Sequence, residues 1–309
     1  MAEHVLALDA DELWTAFEQL NPVDLLVDEL IGRAVDADGW ARRHTARLTP
    51  WHEHVILDGG AGPRCLLPAD DLRFCRAAGL CALAARQMLA PTVVTASVLG
   101  ASRSAQLHLA TIARHVPDIS HIAVTATPVG SARLGARVVD QVDLAGIGLS
   151  IAHGMAEAVF GANLVVVAEP ATWPLEIELL PKGAVVVNST GHDLPDHLVN
   201  HVDQIYVDDL RLLDANPHRY VVKSHLAGPD HTRPRLGNGW YRRPHVESDL
   251  AQILTGAHPG RAHLDDVVLI ELLGATTLDA PLATHLRRAA VRCGLGTPTG
   301  IPGNHGEGA

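Results

Sequence analysis

An apolar run from Val93 to Leu99 gives way to Gly100-Ala101-Ser102-Arg103-Ser104-Ala105-Gln106, and a segment able to form a helix continues to Ile112. Small residues stand at the three places where a strand-turn-helix phosphate loop carries Gly-x-Gly-x-x-Gly. Gly100 permits the tight turn, Ser102 lets backbone approach a pyrophosphate, and Ala105 allows the helix to pack on the strand. The unpaired N–H groups of the helix's first turn would face the anion. Gly100, Ala101, Ser102, Arg103 and Ser104 are thus candidate dinucleotide contacts; the other reading is a ligand-free α/β turn, because two of the three glycines are replaced. The next apolar run ends Val124-Thr125-Ala126-Thr127-Pro128 without the acid that grips a ribose, so selection of NAD by a carboxylate is not supported. Thr127, with Thr125, Ser131 or Arg133, is a candidate for meeting the 2′-phosphate of NADP.

Other chemistry-bearing residues are fewer. Glu169, in Val167-Ala168-Glu169-Pro170, follows an apolar run read as a parallel strand, where ligands of open α/β sheets bind. It is read as a ribose or substrate contact, or as a solvated loop acid. His52 and His54 flank Glu53, and His192, His197 and His201 surround Asp193 and Asp196. No third ligand has diagnostic metal spacing, so no bound metal is expected, and His192 or His52 is the better candidate for a proton donor. Lys182 and Lys223 are the lysines of the chain, which limits any amine chemistry to two positions. Cys65, Cys75, Cys81 and Cys293 show no Cys-x-x-Cys spacing and are too few for a disulfide framework.

The elements that must position these groups follow from periodicity. Residues 5–35 carry helical spacing, with Asp9 or Asp11 as a cap and Asn21-Pro22 as a break. Val55-Ile56-Leu57, a Gly-rich turn and Cys65-Leu66-Leu67 read as a hairpin, and Asp70 to Ala90 as one long helix. Apolar β-branched runs at 92–98, 121–125, 163–168, 184–188 and 203–207 predict the strands of a parallel sheet covered on both faces. Residues 250–295 return to helical spacing, and the Gly- and Pro-rich tail after Gly294 reads as mobile. The expected fold class is α/β: a central Rossmann-type doubly wound parallel sheet with an outer α+β region built from both chain ends.

Charge narrows the function classes. The 309 residues hold 24 Lys+Arg against 35 Asp+Glu, a formal charge of −11. A chain of this balance, with no basic run, is not expected to bind nucleic acid or an anionic membrane. The acidic start Met1-Ala2-Glu3-His4 lacks a signal's positive region, and no 18-residue apolar stretch occurs, so a cytoplasmic location is expected.

Three groups of segments then combine. The first is Leu66-Leu67-Pro68 through Leu72, Arg76-Ala77-Ala78 and Leu83-Ala84. The second is Leu180-Pro181-Lys182-Gly183, Val187-Asn188, Gly191-His192-Asp193-Leu194-Pro195 and Val207-Asp208-Asp209. The third is Thr255-Gly256-Ala257-His258-Pro259-Gly260-Arg261, Asp265-Asp266-Val267-Val268-Leu269, Gly274 and Leu278-Asp279-Ala280. In this order, across roughly 32–295, they resemble the ornithine cyclodeaminase and mu-crystallin family.

The resemblance implies a substrate and dimerisation domain from residues 1–90 with 245–309, a Rossmann domain from 91–244 binding NAD(H) or NADP(H), and a homodimer. It implies hydride exchange at the α-carbon of an amino or imino acid, of the imine reductase, amino-acid dehydrogenase or cyclodeaminase type. Arg76 matches the family's clamp for a substrate carboxylate, and Asp193 the aspartate acting on the substrate nitrogen or on water. An ungapped count puts the family's catalytic lysine at Ala34, beside Arg33, and Ile270-Glu271-Leu272 departs from the family's usual Phe-Lys. These departures leave open a redox-neutral lyase or a small-ligand binder.

Overall fold

Runs of β-branched residues become strands here wherever neighbours cover both faces. The computed structural model describes residues 3–90, 94–125, 134–170, 175–228 and 244–301. Its strands are β1 (Glu3–Ala7), β2 (Arg47–Trp51), β3 (His54–Asp58), β4 (Cys65–Pro68), β5 (Val94–Leu99), β6 (Ile119–Thr125), β7 (Gly148–Ala152), β8 (Leu164–Val167), β9 (Val185–Asn188), β10 (Gln204–Val207), β11 (Val246–Asp249), β12 (Val268–Glu271) and β13 (Thr297–Ile301). The chain divides into two units, Met1–Arg76 with Thr276–Ala309, and Ala77–Ala275.

The larger unit is an α/β structure on an eight-stranded sheet of order β11-β10-β12-β9-β8-β5-β6-β7, parallel throughout. Its middle explains the apolar runs: every residue of β8, β9 and β12 is buried, each Val or Leu contributing roughly 1.5–3 kcal/mol by leaving water. Helix Arg103–His115 links β5 to β6 and buries Leu107, Leu109 and Ile112.

The smaller unit carries a mixed sheet of order β13-β1-β4-β3-β2. Helix Ala10–Glu18 starts at a capping box, in which Asp9 and Glu12 satisfy each other's backbone N–H, and helix Pro22–Val35 starts at Asn21 with Pro22 in its first turn. The hairpin of β3 and β4 forms as expected. Arg287, 1% exposed and on helix Asp279–Arg292, donates to the carbonyls of Gly59, Ala61 and Pro63 and holds the turn.

Several expectations are corrected. Val5 and Leu6, read within a helical stretch, lie in β1, and Leu269 and Ile270, also read as helical, lie in β12. Thr297–Ile301, in the stretch read as a mobile tail, pairs antiparallel with β1. Residues 77–90 and 245–275, expected in the outer region, fall in the larger unit, where β11 and β12 complete the parallel sheet.

Candidate functional site

The direction in which the parallel sheet is built reverses between β7 and β8. Strands β5, β6 and β7 progress outward, and the chain then lays β8 on the other side of β5. The crevice beyond the carboxyl ends of β5 and β8 is thus the topological switch point, the usual ligand position in such sheets. Gly100 follows β5 and Glu169 lies two residues beyond β8.

Gly100 donates its N–H to Thr125 Oγ1 at 2.9 Å, tying the end of β5 to the end of β6. Thr125 is 2% exposed, so its hydroxyl serves this corner rather than the 2′-phosphate considered for it. The φ of Gly100 is +123°, and a Cβ there would stand 2.5 Å from Glu169 Cδ. Only glycine suits the position. Ser102 caps helix Arg103–His115, its hydroxyl accepting from Ala105 N–H at 3.4 Å. The side chains of Ala101 and Ser104 are buried, and Arg103 is half-buried.

Ser102 N–H donates to Glu169 Oε1. The structure therefore joins two candidates the sequence kept apart: Glu169 lies on the phosphate-loop backbone. A charged oxygen accepts from a backbone N–H beside a residue without a side chain, which is the kind of donor a phosphate oxygen needs. The corner therefore fits the pyrophosphate of a dinucleotide. Thr127, Ser131 and Arg133 lie outside the described residues.

A second group gathers on the same edge, after β9 and at the end of β12. Asp193 Oδ1 accepts from Arg219 Nε at 2.9 Å and from Tyr220 N–H at 3.0 Å. Among the described residues nothing donates to its Oδ2, and the side chain is 42% exposed. Arg219, 4% exposed, also donates through Nη2 to Glu271 Oε2 at 2.6 Å and to the His192 carbonyl at 3.0 Å. Asn188 Nδ2, at the last residue of β9, donates to Glu271 Oε2 at 3.0 Å. One guanidinium thus serves two carboxylates. Burial pushes the Glu271 carboxyl up to about 7, against the pull of Arg219 and Asn188.

Arg219 and Glu271 were not among the expected site residues. Glu271 had a legible signal, an acid inside the apolar stretch Val267–Leu273, which demands a buried partner. Arg219 had none in Asn216-Pro217-His218-Arg219.

Arg76 belongs to the smaller unit, where it is 4% exposed and its Nη1 donates to Asp279 Oδ1. Burial raises the Asp279 carboxyl despite this partner. Ala34 is exposed near the end of helix Pro22–Val35, while Arg33 is buried and donates to Thr277 Oγ1. A cavity of about 380 Å³ in this unit is lined by Trp40, Arg43, His44, His285 and Arg288 among others, and by none of the expected site residues. Among the described residues no three His, Cys, Asp or Glu side chains gather to hold a metal ion, and no helix is long and apolar enough to cross a membrane.

Comparison with known proteins agrees with this architecture. The sequence profile of the ornithine cyclodeaminase/mu-crystallin family matches residues 48–292. A Delta(1)-pyrroline-2-carboxylate reductase of Bacillus cereus (strain ATCC 14579) is 27% identical over 149 residues, 45% of this chain and 41% of that protein's length. The chain thus matches less than half of this curated relative. The crystal structure of CmnK aligns with a TM-score of 0.70 at 21% identity, covering 98% of this chain and 100% of that one. The Thermococcus litoralis Delta(1)-pyrroline-2-carboxylate reductase, solved with NADH and L-proline, aligns with a TM-score of 0.66 at 14% identity over 96% of this chain and 100% of that one.

Proposed function

The chain belongs to the ornithine cyclodeaminase/mu-crystallin family, and on that premise we propose that it is an NAD(P)-dependent oxidoreductase acting at the C–N bond of a small amino or imino acid. The observation that supports this best is the carboxyl edge of the parallel sheet. An anion-accepting corner follows β5, and two strands along, about 10 Å in strand spacings, Asp193 presents one fixed and one open oxygen. NAD(H) or NADP(H), when bound, supplies the hydride exchange. Gly100, Ser102 and the first turn of helix Arg103–His115 hold its pyrophosphate. Asp193 Oδ2 takes or returns a proton at the substrate nitrogen, while Arg219 and Tyr220 keep Oδ1 from rotating away.

The named reductases support a cyclic imino acid and its amino-acid product as the substrate pair. Arg76 is the guanidinium for the substrate carboxylate, a group it must share with Asp279. Deamination that depends on an amine at position 34 is disfavoured, because Ala34 stands there. The working form is a homodimer.

Titration of the folded protein with NADH and NADPH, followed by nicotinamide fluorescence, tests the reading. Binding of at least one is expected, with oxidation of the bound reductant by some member of a panel of cyclic imino acids; binding of neither, by the wild type and by variants with Glu169 removed from the Gly100 corner alike, sinks the proposal. Asp193→Asn is expected to lower kcat about 100-fold or more, with dinucleotide affinity nearly unchanged.

A further inference from the structure

We propose that Glu169 is a built-in competitor for the dinucleotide's pyrophosphate, so that the cofactor enters the Gly100 corner only when this carboxylate leaves it. The inference rests on the dinucleotide reading and concerns how that site is controlled. Its basis is the placement of the side chain. Cγ, Cδ and Oε1 of Glu169 lie 2.8, 2.5 and 2.6 Å from the position a Gly100 Cβ would take, so the side chain fills the space that the glycine leaves open. From there Oε1 takes the N–H of Ser102, the residue that caps helix Arg103–His115. The carboxylate occupies the point toward which both the turn and the helix dipole direct an anion.

Two anions cannot hold that point together. A single backbone N–H serves one strong acceptor, and like charges at contact distance repel. The Glu169 charge is met here by the loop backbone and the helix end, the same groups a pyrophosphate would use. Pro170 biases the Glu169 backbone toward the extended region, which makes side-chain rotation the simplest route of exit. The apparent affinity for a dinucleotide is then the corner's own affinity reduced by the fraction of molecules in which Glu169 has turned away. Glu169→Gln removes the charge at nearly constant shape, and Glu169→Ala removes the occupant altogether.

Wild type, Glu169→Gln and Glu169→Ala are titrated with NADH and NADPH by nicotinamide fluorescence, each folded by circular dichroism, with inorganic pyrophosphate as the displacing anion. Expected are a dissociation constant about fivefold tighter for the Gln variant and about tenfold or more for the Ala variant. Pyrophosphate should displace the nucleotide at lower concentration in both variants. Unchanged or weaker binding in both variants overturns the inference and leaves the dinucleotide reading standing; weaker binding in particular would mean that Glu169 grips the cofactor. Binding in the variants but not in wild type supports both. Absence of binding in all three proteins ends the dinucleotide reading and this inference with it.

Discussion

At Arg219 a single positive charge is set between two carboxylates of unlike exposure, Glu271 at 1% and Asp193 at 42%. Removing the cation leaves Glu271 buried with, among the described residues, only the amide of Asn188 to answer its charge. Arg219→Leu should therefore cost about 3–5 kcal/mol, read by urea denaturation at neutral pH. Glu271 itself makes stability depend on pH. Its carboxyl rises from an ordinary 4.5 to about 7 on folding. Below 4.5 the folded and unfolded chains both keep the proton; between 4.5 and about 7 only the folded chain does. The group's stabilising contribution is thus complete at the acid end and is lost as pH rises through that window. Glu271→Gln cannot titrate, so the stability difference between wild type and variant should favour wild type more at about pH 5 than at about pH 8. A difference that does not change with pH would contradict the assignment.

Among the elements, those legible in the sequence were the ones whose patterns had a single physical solution. Short runs such as Leu164–Val167 and Val185–Val187 are too brief for buried helices and too apolar for loops, and they form the sheet's centre. Asp9, one of two caps offered for the first helix, marked its start because a side-chain acceptor at that place answers otherwise open N–H groups; Asn21, read only as part of a break, is the cap of the second helix. Strand β1 was misread because Val5, Leu8 and Leu13 also suit helical spacing, and only pairing with β4 and β13 decides between them. Gly148–Ala152 at the sheet's edge and Val246–Asp249 with its polar residues gave no apolar run. The site shows the same division: the Gly100 corner was visible locally, whereas its contact with Glu169 spans 67 residues and depends on strand order. Helix Asp279–Arg292 offers a test at this scale. Arg287→Met withdraws the donors that hold three carbonyls of the β3–β4 turn, and a loss of about 1–3 kcal/mol is expected. Hydrogen exchange should quicken first around residues 59–64.

For the whole molecule, the smaller unit draws on both chain ends, with β1 and β13 paired, so its sheet joins residues nearly the full length of the chain apart. Light scattering on the intact protein should give twice the mass of the chain; a monomer at working concentration would remove the homodimer from the proposal. In the larger unit, β12 lies between β9 and β10, although it is made after both and after β11. During synthesis the slot between Val185–Asn188 and Gln204–Val207 therefore stays open until Glu271 has left the ribosome. Two unpaired strand edges wait side by side over that interval, each able to recruit a stranger. A nascent chain halted before Val268 should accumulate as aggregate or on chaperones, and release of the next few residues should rescue it.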